Sequence, residues 1–121
     1  MSPSRTPDTD LSGVRWRFTR RDGGVSQGPY SSLNLADHVG DDLDAVQQNR
    51  TVIAAEFGLS PGNVAIMAAA HGNDVAVVDH GGTVPEVDGL VTTTPGLGLL
   101  ALAADCATVA LVDQAKGIIG A

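Results

Sequence analysis

The chain reads as an α+β protein, and three features of its 121 residues lead there. One amphipathic helical pattern stands near the middle, from about Asp42 to Phe57. A single strand and a long loop precede it, and about six short apolar or β-branched runs follow it. One helix among runs of strands, rather than a regular alternation, argues for α+β with mixed sheets over a doubly wound fold.

The elements follow in order. Residues 1 to about 12 are polar, carry Pro3 and Pro7, and read as a disordered tail. Val14, Trp16 and Phe18 then alternate with Arg15, Arg17 and Thr19, the pattern of a half-buried strand. From Arg20 to Leu35 the chain holds Gly23, Gly24, Gly28 and Pro29 and is a loop, long enough to suggest a functional one. In the helix, Leu43, Val46, Arg50, Ile53 and Phe57 share one stripe, with Arg50 expected to snorkel from its edge. Asp41 or Asp42 can cap its start, Gly58 suits the position after its end, and Pro61 forbids continuation.

After Pro61 strands are expected. Val64–Ala70 is uniformly apolar, as a strand covered on both faces is. Asp74–Asp79 is short and β-branched, and Gly81, Gly82 and Pro85 mark a loop before the strand Gly89–Thr93. Pro95-Gly96 turns into Leu97–Ala104, and Thr108–Val112 and Gly117–Ile119 flank a hairpin turn. The last strand ends without cap or polar tail, so residues 13–121 are expected to be the N-terminal half of one domain.

Composition bounds the function. Seven basic against fourteen acidic residues give a net charge of −7, and five of the seven basic residues lie in the first 21. The acidic remainder argues against nucleic-acid or anionic-membrane binding, which need clustered cations. One cysteine excludes an internal disulfide framework and suits a reducing cytoplasm. The N-terminus has no apolar signal core, and Leu97–Val112 is too short and too interrupted by Asp105 to span a membrane. The expected location is the cytoplasm.

His71 and Cys106 are the candidate chemistry, each following an apolar, strand-like run. Side chains at the ends of buried strands are fixed by the sheet, as metal ligands and nucleophiles require. Their types begin a zinc or copper site without completing it, since a catalytic zinc takes about three protein ligands and an open position. A free cysteine is more often inert core, but Asp105 beside Cys106 is costly in an apolar setting unless turned outward or paired. His38 and His80 lie in polar loops and read as solvated. Asn34, between Leu33 and Leu35, is a turn residue on its own merits.

Seven motifs in order carry a resemblance: Thr19–Ser26, Pro29–Leu35, His38–Asp42, Asn49-Arg50, His71-Gly72, Val87–Thr92 and Ala104–Cys106. From about residue 14 onward the chain resembles the peptidoglycan editing factor family. That family is also called multicopper polyphenol oxidoreductase (laccase-like), and its members act as purine nucleoside phosphorylases. Two departures stand out: Ala69-Ala70 replaces Gln-Val before the histidine, and Thr108 replaces a proline after the cysteine.

The resemblance implies a layered αββα sandwich, of which this chain is one half. It implies that His71 and Cys106 are catalytic metal ligands, for zinc or alternatively copper, completed by a histidine beyond Ala121. It places Asn34 near the substrate. The implied activity is phosphorolysis of adenosine and inosine, with adenosine deamination. The alternatives are amide hydrolysis removing misincorporated serine from a peptidoglycan nucleotide-sugar precursor, or a non-catalytic remnant. Three histidines are too few for laccase chemistry. The expected partners are a purine nucleoside and phosphate, with self-association through exposed strands.

Overall fold

A computed structural model describes residues 8–11 and 13–121. Residues 1–7 and 12 of the expected tail lie outside the described residues. Within that tail Asp8–Leu11 is a strand, β1, paired antiparallel with β2 (Val14–Trp16). The strand read from Val14 to Thr19 therefore stops at Trp16, and Phe18 is exposed.

The helix α1 runs from Leu43 to Glu56. Asp42 caps it by accepting a hydrogen bond from the Asp44 N–H, which satisfies one of the orphan donors of the first turn. Gly58 follows its end at φ +71°, the left-handed conformation that closes helices. The buried stripe is Val46, Asn49, Arg50 and Ile53, with Ala45 and Ala54 beside it, whereas Leu43 is exposed.

Beyond α1 lie β3 (Val64–Ala68), β4 (Val75–Val77), β5 (Gly82–Pro85), β6 (Gly89–Thr92), β7 (Gly98–Leu100), β8 (Leu111–Asp113) and β9 (Ile118–Gly120). They form two sheets. In the first, β3 lies between β5 and β7 and is parallel to both. In the second the order is β4-β6-β9-β8, with β4 parallel to β6 and the remaining pairs antiparallel. Here β8 and β9 make the expected hairpin, with Gly117 at φ +66° in its turn. The fold is α+β with mixed sheets.

β5 occupies a stretch read from sequence as loop. Its Pro85 is the last residue of an edge strand, a position in a sheet that tolerates proline. A Cβ on Gly81, just before β5, would collide with the Gly62 carbonyl, so that approach needs glycine.

Two apolar clusters hold the layers. Leu33, Leu35 and Ile53 pack with Phe57, Leu100 and Leu102, joining the long loop and α1 to the first sheet. Ala65 and Met67 of β3 pack with Leu90 of β6, joining the two sheets face to face. Pleat alternation then places Val75, Val77, Val91, Leu111 and Ile118 together on the other face of the second sheet. On that face Val75, Val77 and Leu111 are 62%, 79% and 64% exposed.

Candidate functional site

The long loop is bound to α1 by a polar network. Val46, Asn49, Arg50 and Ile53 are spaced i, i+3, i+4, i+7, so the apolar stripe carries two polar residues inward. Asn49 is fully buried. Its Oδ1 accepts from the Val25 N–H at 2.8 Å, and its Nδ2 donates to the Ser26 hydroxyl at 2.9 Å and the Asn34 carbonyl at 2.8 Å. A buried amide so placed has its donors and its acceptor satisfied, which is what lets it stand in a core. Arg50 does not snorkel as expected: it is 8% exposed, because its Nε donates to the Leu35 carbonyl at 2.9 Å.

Asn34 is a turn residue. Its Oδ1 accepts from the Ala36 N–H, and its Nδ2 donates to the Ala36 carbonyl and to Asp41 Oδ2, each at 3.1 Å. The Ser26 hydroxyl donates to the same Asp41 oxygen at 2.6 Å. That bond, with those from Asn34 and the Asp42 N–H, holds the Asp41 carboxyl below its ordinary range against partial desolvation.

His71 lies three residues beyond the end of β3, exposed and at φ +61°. The sheet does not hold it directly. Asp88 does: its Oδ1 accepts from the N–H groups of Ala70 (3.0 Å) and His71 (2.8 Å), and its Oδ2 from that of Gly72 (2.8 Å). The Gly72 bond first, then those of His71 and Ala70, keep the Asp88 carboxyl below the usual carboxylate range, against the effect of desolvation.

Cys106 departs from expectation. β7 ends at Leu100 because only Val64–Ile66 of β3 pair with it, so Cys106 is not fixed at a strand end. It stands exposed, beside an exposed Asp105, in an irregular segment. His38 and His80 are exposed, and His80 Nδ1 lies 2.7 Å from Asp79 Oδ1. An open depression of about 420 Å³ beside Asn63, His80 and Thr94 includes none of His71, Cys106 and Asn34 among its lining residues.

An imidazole and a thiol are suitable donors for zinc or copper. Among the described residues, no three of His, Cys, Asp and Glu come together as a ligand set. His71 and Cys106 suit such a set by donor type, and no third ligand joins either of them among the described residues. No helix among the described residues is long and apolar enough to cross a membrane.

The structure thus joins one helix and two sheets, with a long loop anchored on a buried asparagine and a histidine turn strapped by an aspartate. Residues 15–121 match the family described as multi-copper polyphenol oxidoreductase laccase, and the chain belongs to that family. It is 51% identical over 112 residues to a purine nucleoside phosphorylase of Corynebacterium glutamicum, covering 89% of this chain and 46% of that protein. A purine nucleoside phosphorylase of Streptomyces coelicolor is 46% identical over 114 residues, 92% of this chain and 47% of its own length. Among solved structures, a Neisseria meningitidis protein superposes with a TM-score of 0.80 at 36% identity, over 96% of this chain and 48% of that one. YlmD from Geobacillus stearothermophilus gives 0.79 at 34% identity, over 83% and 41%. The chain spans about half the length of the curated relatives it matches.

Asn49 and Asp88 lie in motifs that carry the resemblance, but the sequence reading gave neither a role in the site. The signal for Asn49 was present, since its spacing from Val46 and Ile53 puts it on the buried stripe. For Asp88 the Val87–Thr92 motif marked the residue but not its role, because its partners lie 16 to 18 residues away along the chain.

Proposed function

We propose that this chain supplies part of the active site of a metal-dependent purine nucleoside phosphorylase acting on adenosine and inosine, with adenosine deamination as a second activity. The observation that supports the phosphorylase part of this reading is the 51% identity, over most of the chain, to a relative named purine nucleoside phosphorylase.

In this reading His71 and Cys106 hold zinc, or alternatively copper, and a further ligand comes from polypeptide outside these 121 residues. When bound, a zinc ion with an open position polarises a bound group and brings the pKa of bound water towards neutrality. The chain's own part is to present donors. His71 must offer an unprotonated ring nitrogen and Cys106 a thiolate, and the exposure of both lets the released protons pass to water. Phosphorolysis breaks the bond between base and sugar and forms one between sugar and phosphate, so phosphate is consumed as base is released. Asn34 acts on the substrate through one atom. Its Nδ2 protons are both engaged, which leaves the second lone pair of Oδ1 to accept from a nucleoside N–H or O–H.

The test joins this chain to the half of the Corynebacterium relative that it does not match. Release of free base from adenosine and inosine is then followed with and without inorganic phosphate. Phosphate-dependent release, abolished by Cys106→Ala or His71→Ala, is the expected result. Asn34→Ala should raise KM and leave metal content unchanged. Activity retained in Cys106→Ala at full metal occupancy would place the active site elsewhere.

A further inference from the structure

We infer that Asp88 is a positioning residue whose carboxylate fixes the main chain of the turn carrying His71. This rests on the reading of His71 as a site residue and assigns a role to the Val87–Thr92 motif, which that reading leaves unused.

The turn between β3 and β4 is tied at both ends and in its middle to three consecutive residues. At its start the Ala68 carbonyl accepts from the Val87 N–H at 3.3 Å. At its end the Asp74 carbonyl accepts from the N–H groups of Asp88 at 2.9 Å and Gly89 at 3.2 Å. Between them, the Asp88 carboxylate takes the three successive N–H groups of Ala70, His71 and Gly72. Val87–Gly89 therefore holds the whole turn.

The geometry explains why a carboxylate is needed. His71 sits at φ +61°, a left-handed conformation uncommon for a residue with a Cβ and costly to hold without support from its surroundings. Successive N–H groups around a left-handed residue converge on one side and make an anion-binding concavity. Two oxygens, each with two lone pairs, can take three N–H groups at once, and the negative charge strengthens each bond. Asp88 adjoins Gly89, the first residue of β6, and the next residue, Leu90, is buried in the core between the sheets. The clamp thus transmits the rigidity of the second sheet to an exposed histidine that no strand bond holds.

The test uses the full 121-residue chain. Amide hydrogen exchange by NMR should find Ala70, His71 and Gly72 protected, and Asp88→Ala should speed all three by about tenfold or more, leaving Met67 and Leu90 unchanged. Should Asp88→Ala fail to fold, Asp88→Asn serves: it keeps one acceptor oxygen and should release Gly72 more than Ala70 and His71. Unchanged exchange at all three amides would overturn the clamp.

A Zn²⁺ titration addresses the positioning role separately. Asp88→Ala should weaken zinc binding about tenfold, and should add nothing in a His71→Ala background. An equal loss in both backgrounds would show that Asp88 acts through general stability, overturning the inference. If His71→Ala alone leaves zinc affinity unchanged, the site reading of His71 fails, and hydrogen exchange still decides the clamp.

Discussion

The side-chain amide of Asn49, in the buried face of α1, donates to the main-chain carbonyl of Asn34 at 2.8 Å. The helix thereby holds the loop at the residue which the proposed function places beside the substrate. Ser26 and Val25 are held by the same amide, so one side chain fastens the loop at three points.

Asn49→Ala is therefore expected to cost about 2–4 kcal/mol, because buried groups on the loop lose their partners together. Urea denaturation measures it. A loss below about 0.5 kcal/mol would be the size of an ordinary surface substitution and would count against the network.

Gly24→Ala should disturb the same network by steric means. A Cβ there would meet the Ser32 carbonyl, Asn49 Oδ1 at 2.5 Å and Leu33 Cα at 2.6 Å, and the last is main chain that cannot swing aside. The expected signature is a lowered denaturation midpoint with faster exchange of the Val25 amide, while the strand amides of β3 keep their protection. Wild-type stability in this variant would show that the loop has room the structure does not give it.

Asp41 gives the loop a dependence on pH. Its carboxyl is held below its ordinary value, chiefly by the Ser26 hydroxyl, so the folded state favours the ionised form. Such a group contributes stability that is fully present above its unfolded pKa, about 4, and is lost as pH falls through the lower folded value. Asp41→Asn should be less stable than wild type at pH 7, and the gap should narrow in acid. A gap constant from pH 7 to pH 3 would remove the carboxylate from this account.

The open face of the second sheet predicts association. With Val75, Val77 and Leu111 exposed together, the 121-residue chain should show concentration-dependent sedimentation. Val77→Lys with Leu111→Lys should reduce it. A monodisperse monomer at all concentrations, with no dye bound to apolar surface, would contradict this.

Zinc affinity should rise steeply when the chain is extended by the segment that follows the matched region in the Corynebacterium relative. Structural zinc sites are worth roughly 10–16 kcal/mol, so supplying one missing ligand should bring several kcal/mol. Chelator competition compares the two polypeptides, and equal affinity would mean that no ligand lies in that segment.

The sequence by itself determined the elements whose pattern is local. The α1 stripe, its Asp42 cap and Gly58 close, the apolar β3 and the β8–β9 hairpin are each set by residues a few positions apart, within reach of periodicity and turn chemistry. Leu43 escaped that logic, since lying on the stripe does not bury a residue at the helix's exposed end. Tertiary structure alone decided the rest. β5 is a strand despite Gly81, Gly82 and Pro85, because parallel pairing with β3 supplies bonds that outweigh weak propensity. Cys106 lost its expected strand because β3 offers β7 only three residues in register. Asp88 reaches the His71 turn only after the chain between them has crossed through β4 and β5. Long-range hydrogen bonds of this kind depend on which segments the topology makes neighbours, and no local pattern of residues records that.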